Sequence, residues 1–154
     1  MGLFDKMAGT KHPESGVAPR SAAEVRAALL ALNGPNVRYE VRAGTPKEGA
    51  DLVAECRLPE VRVTLKIRMR LIPDTHEVRA LDERWDKSTV DYSNGKYSRG
   101  QATTVYRQWT YEKGADGRRQ KVETFRFDTR EMRDPLLQAV LDAGWTWRGV
   151  LFKL

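Results

Sequence analysis

The sequence predicts an α+β fold, in which a twisted antiparallel sheet of about six or seven strands, mostly a meander, packs an N-terminal and a C-terminal helix on one face. The sheet is indicated by residues 61–71, where apolar and polar side chains alternate without a break, as in a half-buried strand. The helices are indicated by helix-start and helix-end residues around 21–35 and 134–144. A half-closed β-barrel around a helix is the alternative arrangement.

The first helix is predicted over residues 22–33. Ser21 and Glu24 form a capping box, in which the serine hydroxyl accepts a hydrogen bond from the amide three residues on and the glutamate reaches back. Apolar residues recur at helical spacing at Val25, Leu29 and Leu32. The sequence Asn33-Gly34-Pro35 ends the helix, because glycine accepts a left-handed backbone and proline cannot continue the helix.

Strands are predicted on both sides of the central strand. Residues 37–42 and 51–58 alternate between apolar and polar side chains. A turn at Pro59-Glu60 pairs Leu58 with Val61 and places apolar side chains opposite one another. After the central strand, a second turn is predicted at Pro73-Asp74, which starts the next strand.

The second turn sets the pairing of the strand that follows it. Pairing Ile72 with Thr75 places Arg70 opposite Glu77, so that unlike charges face each other. Asp82 then falls on the apolar side of its strand. This placement indicates a bulge, a sheet edge or a polar pocket at Asp82.

The second half of the chain predicts two further hairpins. Residues 85–93 continue as a strand that reaches Asn94-Gly95, a strong hairpin-turn signal. Residues 101–112 and 118–128 form another strand pair around a five-residue loop at 113–117. Both pairs are expected to extend the meander.

The chain is predicted to end with a helix and a strand. Asp134 and Pro135 resemble an N-cap followed by proline at the first helical position, and residues 128–131 could add one turn before them. Gly144 closes the helix, and residues 145–154 form a final strand with apolar residues on both faces. Such a strand is expected inside the sheet.

Length and composition suit one domain at residues 21–154, preceded by a flexible lead at residues 1–20 that lacks hydrophobic periodicity. No apolar run approaches the roughly 18 residues that a membrane-spanning helix needs. Cys56 is the single cysteine, and no signal peptide is visible. We therefore expect a cytoplasmic protein without a disulfide.

The net charge of +6 is concentrated in the middle of the chain. Residues 84–130 contain 11 Lys and Arg against 6 Asp and Glu, a surplus of 5. A basic surplus is typical of proteins that bind nucleic acid, an anionic membrane surface or an acidic protein, although it also favours solubility.

No catalytic, nucleotide-binding or metal-binding motif occurs in the sequence. His12 and His76 have no Cys, Asp or Glu partner at ligand spacing, so we expect no zinc site. Cys56 alternates onto the apolar face and is expected to be buried. The sequence therefore predicts a protein that is not an enzyme and needs no cofactor.

Three binding hypotheses remain open. The first is an interaction module that binds an acidic protein partner through the basic sheet face at Arg62, Lys66 and Arg68. The second is a single-stranded nucleic-acid-binding protein that uses Arg99, Arg107, Trp109 and Arg119. The third is a carrier of a small apolar or aromatic ligand, with its pocket under the final helix. Against all three, the aromatic residues could simply form the core.

Overall fold

The computed structural model describes residues 9–87 and 96–154 and has the predicted α+β fold. Its strands are β1 (Tyr39–Ala43), β2 (Leu52–Leu58), β3 (Val63–Ile72), β4 (Glu77–Asp86), β5 (Lys96–Arg99), β6 (Val105–Lys113), β7 (Arg119–Asp128) and β8 (Thr146–Val150). Its helices are α1 (Ala22–Leu30) and α2 (Arg130–Asp142). The predicted turn at Asn94-Gly95 and residues 1–8 of the predicted lead lie outside the described residues.

The main sheet has six strands and is open. Strands β1 to β5 form an antiparallel meander in chain order, and β8 pairs in parallel with residues 77–81 of β4, next to the part of β4 that pairs with β5. The barrel alternative is therefore not the arrangement adopted. Strands β6 and β7 form a separate two-stranded sheet, which we call the ribbon, instead of extending the meander. Between β5 and the ribbon lies Gly100, whose φ of +124° is a conformation that favours glycine.

The alternation predicted for the central strand is confirmed in β3. Leu65 and Ile67 are buried in the core, on the face that α1 and α2 cover. Lys66 and Arg68 point to the opposite side, which we call the outer face of the sheet. Apolar side chains of both helices pack into this same core, namely Val25, Leu29, Leu136 and Val140.

Strands β2 and β4 each pair with β3 in a register that differs by two residues from the predicted one. Leu58 pairs with Val63, because the turn includes Arg62 with a φ of 57°. Ile72 pairs with Glu77, because a 3₁₀ turn and His76, with a φ of 50°, separate β3 from β4. Since side chains alternate with a period of two, an even shift leaves each of them on its predicted face.

The final strand belongs to the main sheet but lies at its edge, not inside it as expected, because β4 is the one strand that β8 pairs with among the described residues. Two buried tryptophans, Trp145 and Trp147, accompany it. Trp145 and Trp147 are fully buried, and Trp145 Nε1 donates to the Arg20 carbonyl oxygen at 2.8 Å. On the free edge of β8, the amide of Lys11 donates to the Trp147 carbonyl oxygen at 2.8 Å. The described part of the predicted lead, residues 9–20, is thus joined to this edge.

The two helices differ from the prediction at their ends. Helix α1 stops at Leu30, and the Asn33 side chain instead bonds both backbone groups of Val41 at 2.7 Å, which closes that position on the edge of β1. Helix α2 begins at Arg130, within the additional turn considered at residues 128–131, so Pro135 lies inside the helix instead of at its first position. No helix in the described ranges is long and apolar enough to cross a membrane.

Candidate nucleic-acid interface

Lys66 and Arg68, two residues of the predicted basic site, lie among carboxylates on the outer face. Lys66 Nζ is 3.2 Å from Glu48 Oε2 and 3.7 Å from Glu55 Oε2. Arg68 Nε lies 2.5 Å from Glu83 Oε1, and Arg68 Nη1 donates to the Glu48 carbonyl oxygen at 2.7 Å. Because both cations are already paired, this part of the sheet retains little positive charge for an acidic partner.

Glu48, which the sequence did not single out, organises this cluster from the loop between β1 and β2. Arg42 holds its carboxylate through two hydrogen bonds of 2.8 and 2.9 Å, and the Thr45 amide donates a third at 2.9 Å. The hydrogen bonds from Arg42 in particular hold the pKa of Glu48 well below its usual range, despite partial burial. No motif indicates this residue, because Glu48 lies in a loop without periodicity and meets Lys66, 18 residues later, only in the folded chain.

Arg62 and Arg99, the other two predicted site residues near the main sheet, lie apart from each other and from the ribbon. Arg62 is exposed in the turn before β3 instead of on the strand. Arg99 lies on β5 in register with Glu83, and its Nε donates to the Tyr97 hydroxyl at 2.6 Å. Its Nη1 donates to the Phe152 carbonyl oxygen at 3.1 Å. Arg99 therefore does not join the other three predicted nucleic-acid contacts.

Those three contacts, Arg107, Trp109 and Arg119, do come together on one face of the ribbon. Directly paired residues of antiparallel strands share a face, so the register defines its members. We call this surface the aromatic face; it consists of Arg107, Trp109, Tyr111 and Lys113 on β6 and Arg119, Lys121, Glu123 and Arg126 on β7. A bulge between Gln108 and Trp109 leaves Thr124 as the extra residue of β7.

The aromatic rings of this face are accessible to solvent. Tyr111 is 66% exposed and Trp109 is 40% exposed. Lys121 Nζ lies 4.6 Å from the centre of the Trp109 ring, a cation–π contact that covers part of the indole. The interpretation of the tryptophans as core therefore holds for Trp145 and Trp147 but not for Trp109.

The cations around these rings have few partners. The aromatic face has five cations and one carboxylate, Glu123. Within the described part of the chain, no carboxylate lies at salt-bridge distance from Arg107, Lys113, Arg119 or Arg126. The sequence placed Tyr111 on the face of Trp109 and counted Lys121 among the interleaved cations, but the predicted set of contacts included neither of them. Arg126 was missed, although its register with Arg107 places it on the same face.

The base of the ribbon is tied to the main body through its other face. Tyr106 and Phe127 are buried in the core. Arg84 on β4 donates from Nη1 to the Tyr106 hydroxyl and to Thr104 Oγ1, both at 2.8 Å. Toward the tip most ribbon residues are exposed. The ribbon is therefore an anchored arm whose outer half offers its side chains to solvent.

A polar pocket lies under α2, where the carrier hypothesis placed an aromatic one. Asp82, the odd residue of the sequence analysis, forms a buried ion pair with Arg133 Nε at 3.1 Å. The cavity beside it measures about 20 Å³, which suits one water molecule. Burial raises the pKa of Asp82 to about 6, although Arg133 opposes the shift. A pocket of this size gives no support to a small-ligand carrier.

Other reactive groups in the described residues do not assemble into a site. No group of three or more His, Cys, Asp or Glu side chains could hold a metal ion in the described ranges. Cys56 is buried as expected, and burial raises the pKa of its thiol to about 11. The aromatic face of the ribbon thus combines exposed rings with unpaired cations. No family model, curated protein or solved structure matches this chain.

Proposed function

We propose that the protein binds single-stranded nucleic acid through the aromatic face of the ribbon. The observation on which this depends is that Trp109 and Tyr111 are exposed side by side on β6 among cations without carboxylate partners. Exposed aromatic rings provide stacking surfaces for bases, and free Lys and Arg side chains neutralise phosphates. The first hypothesis, an acidic protein partner, has less support because Lys66 and Arg68 are paired with carboxylates.

Stacking gives the ribbon a preference for unpaired bases. Trp109 and Tyr111 are two residues apart on one strand, a separation of about 6.8 Å along the ribbon. Bases within a duplex have their faces covered by neighbouring base pairs, whereas an open strand exposes them to such rings. Tyr111 offers the more accessible ring, since Lys121 lies over part of Trp109. Each base stacked on an aromatic ring contributes about 1–3 kcal/mol.

The cations extend this surface in both directions along the ribbon. Arg107 and Arg126 form a directly opposed pair near its base, and Lys113 and Arg119 form another at its tip. Like charges opposite each other on a sheet are destabilising, and a phosphate between them would relieve the repulsion. A strand of nucleic acid that follows β6 would therefore meet cations on either side of the two rings.

The proposal describes a non-enzymatic, cytoplasmic binding protein. The lack of a catalytic motif and the single cysteine support it. We propose no preference for a particular base sequence, because aromatic side chains can stack on every base.

Fluorescence anisotropy of a labelled 12-nucleotide single strand tests the proposal, with salt varied between roughly 50 and 200 mM. We expect Tyr111→Ala to weaken binding by about 5- to 150-fold, because it removes one stacking ring. Replacing Arg107 and Arg119 together by Gln should lower the slope of log K against log salt by about 1.4, since each phosphate contact contributes about 0.7.

Two matched controls separate the ribbon face from general charge. Thr110→Ala alters the opposite face of the same strand, and Arg57→Gln removes an exposed arginine from the main sheet. Both variants should bind like the unmodified protein. A flat anisotropy signal at low salt, or an equal loss in Thr110→Ala and Tyr111→Ala, would contradict the proposal.

A further inference from the structure

The two exposed rings of the aromatic face are attached to the ribbon at a spacing that stacked bases do not share. Residues 109–111 of β6 pair regularly with residues 121–123 of β7, beyond the bulge. Alternate residues of such a strand are about 6.8 Å apart, which fixes the distance between the attachment points of Trp109 and Tyr111. Stacked bases follow one another at about 3.4 Å along a nucleic-acid strand. The two rings are therefore attached about two stacking distances apart.

Both rings are open to an incoming base. Tyr111 is 66% exposed and Trp109 is 40% exposed. Neither ring packs against another aromatic side chain in the part of the chain that the structure describes. A base can thus stack on either ring without moving a neighbouring ring, and the spacing decides how one strand reaches both rings at once.

A strand that engages both rings has to separate neighbouring bases. Two consecutive nucleotides that each stack on one ring are held about 6.8 Å apart, so they no longer stack on each other. A single base inserted between the rings would have a ring on each face and would lose both of its neighbours. Bases inside an intact stack offer neither face, because the adjacent bases cover both. Each arrangement that uses both rings therefore requires the strand to be extended.

Lys121 adds a cation between the two rings. Its backbone lies directly opposite Tyr111, whereas its Nζ lies 4.6 Å from the centre of the Trp109 ring. The side chain therefore runs diagonally along the aromatic face, from the level of one ring to the level of the other. In an extended strand, the phosphate that joins two nucleotides lies between their bases, where this ammonium group can neutralise it. Lys121 is thus suited to a phosphate contact and leaves the stacking to the two rings.

We propose that the ribbon holds its single strand extended and therefore prefers strands whose bases stack weakly on one another, such as oligothymidylate, to strands that stack strongly, such as oligoadenylate. This inference rests on the function proposed above, and it concerns base composition without favouring a particular sequence. Opening a stacked step costs free energy, and that cost reduces the affinity for oligoadenylate. Thymine, a base with a single ring, has less stacking to lose, so oligothymidylate binds with little of this cost.

Competition measured by fluorescence anisotropy tests the preference, with unlabelled 12-nucleotide strands of thymidylate and adenylate displacing a labelled thymidylate strand from the full-length protein at roughly 50 mM salt. We expect the thymidylate strand to bind at least about threefold more tightly. The circular dichroism that stacked adenines produce should also decrease when the adenylate strand is saturated with protein. Equal affinities, or an unchanged adenine signal, would overturn this inference alone. Failure of both strands to bind would overturn the proposed function and this inference with it.

Variants show whether the pair of rings causes the preference. Tyr111→Ala leaves one ring, so a strand can bind without opening, and the preference for thymidylate should fall below about twofold while both affinities decrease. Lys121→Gln is the matched control, because it removes a cation from the same face and leaves both rings in place. It should weaken the binding of both strands alike and keep the preference. A preference retained in Tyr111→Ala, or lost in Lys121→Gln, would overturn the inference.

Discussion

The buried ion pair between Asp82 and Arg133 gives the sharpest test of how the helix layer is held to the sheet. Both side chains are about 10% exposed, and Asp82 Oδ1 has no hydrogen-bond partner. Removing one partner leaves a buried charge uncompensated, at a cost of about 3–5 kcal/mol. For a chain of this size, that corresponds to a fall in Tm of roughly 6–20 °C for Arg133→Met.

A double-mutant cycle isolates the pair from simple loss of packing. We expect Asp82→Asn and Arg133→Met together to lower the free energy of unfolding by about 1–3 kcal/mol less than the sum of the single variants. The reason is that the double variant leaves no buried charge without a partner. Urea unfolding followed by tryptophan fluorescence measures the free energies, since Trp145 and Trp147 are buried in the native state. Additive effects, or a cost below about 1 kcal/mol for Arg133→Met, would refute the reasoning.

The pH dependence provides a second readout of the same pair. Burial raises the native pKa of Asp82 from its ordinary 3.8 to about 6, so the native state holds this proton more tightly than the unfolded chain. The contribution of Asp82 is therefore fully present below about pH 4 and declines as pH rises through 6, by roughly 2–3 kcal/mol. Asp82→Asn should remove this decline. An unchanged pH profile in that variant would show that Asp82 is not its source.

Three further predictions concern the loop, the thiol and a turn. Glu48→Gln should lower the free energy of unfolding by about 1–3 kcal/mol at pH 7, because it weakens the hydrogen bonds with Arg42. Since the pKa of Glu48 is lowered, its carboxylate stabilises the native state only while ionised, so the difference should shrink as pH falls below about 4. Urea titrations at both pH values measure this difference. Cys56 should resist thiol reagents at pH 8 until the protein is unfolded, because burial raises its pKa to about 11; rapid labelling of native protein would contradict this. Gly144→Ala should cost more than Gly117→Ala in thermal unfolding, since both have positive φ but only the added Cβ at 144 meets backbone, 2.7 Å from the Ala18 carbonyl oxygen.

Much of the fold was predictable because side-chain periodicity reports local geometry. The alternation in β3 identified its buried face, and an error of two residues in the register left that face unchanged. The capping box at Ser21 marked the start of α1, where the Ser21 hydroxyl accepts from the Glu24 amide at 3.2 Å. The turns were less predictable, since Arg62 and His76 adopt positive φ without being glycine.

The candidate site was predictable only in part. Arg107, Trp109 and Arg119 could be grouped from the sequence because they lie on two strands joined by a recognisable loop. Their exposure to solvent could not be predicted from the sequence, because periodicity shows which residues share a face but not which face is covered. The same ambiguity affected the basic side of β3, where Lys66 pairs with Glu48 from a loop 18 residues earlier and Arg68 pairs with Glu83 on β4.

The sequence by itself determined the class of fold, the inward side of the central strand and the composition of each surface, because these depend on neighbours within a few positions along the chain. Only the tertiary structure decided that β8 lies beside β4, that the ribbon stands apart from the sheet, and which cations have partners. The physical reason is that ion pairing and burial depend on distances between residues far apart in sequence. For that reason, Lys66 and Arg68 of the predicted basic face have carboxylate partners, while cations without carboxylate partners at salt-bridge distance among the described residues lie on the ribbon.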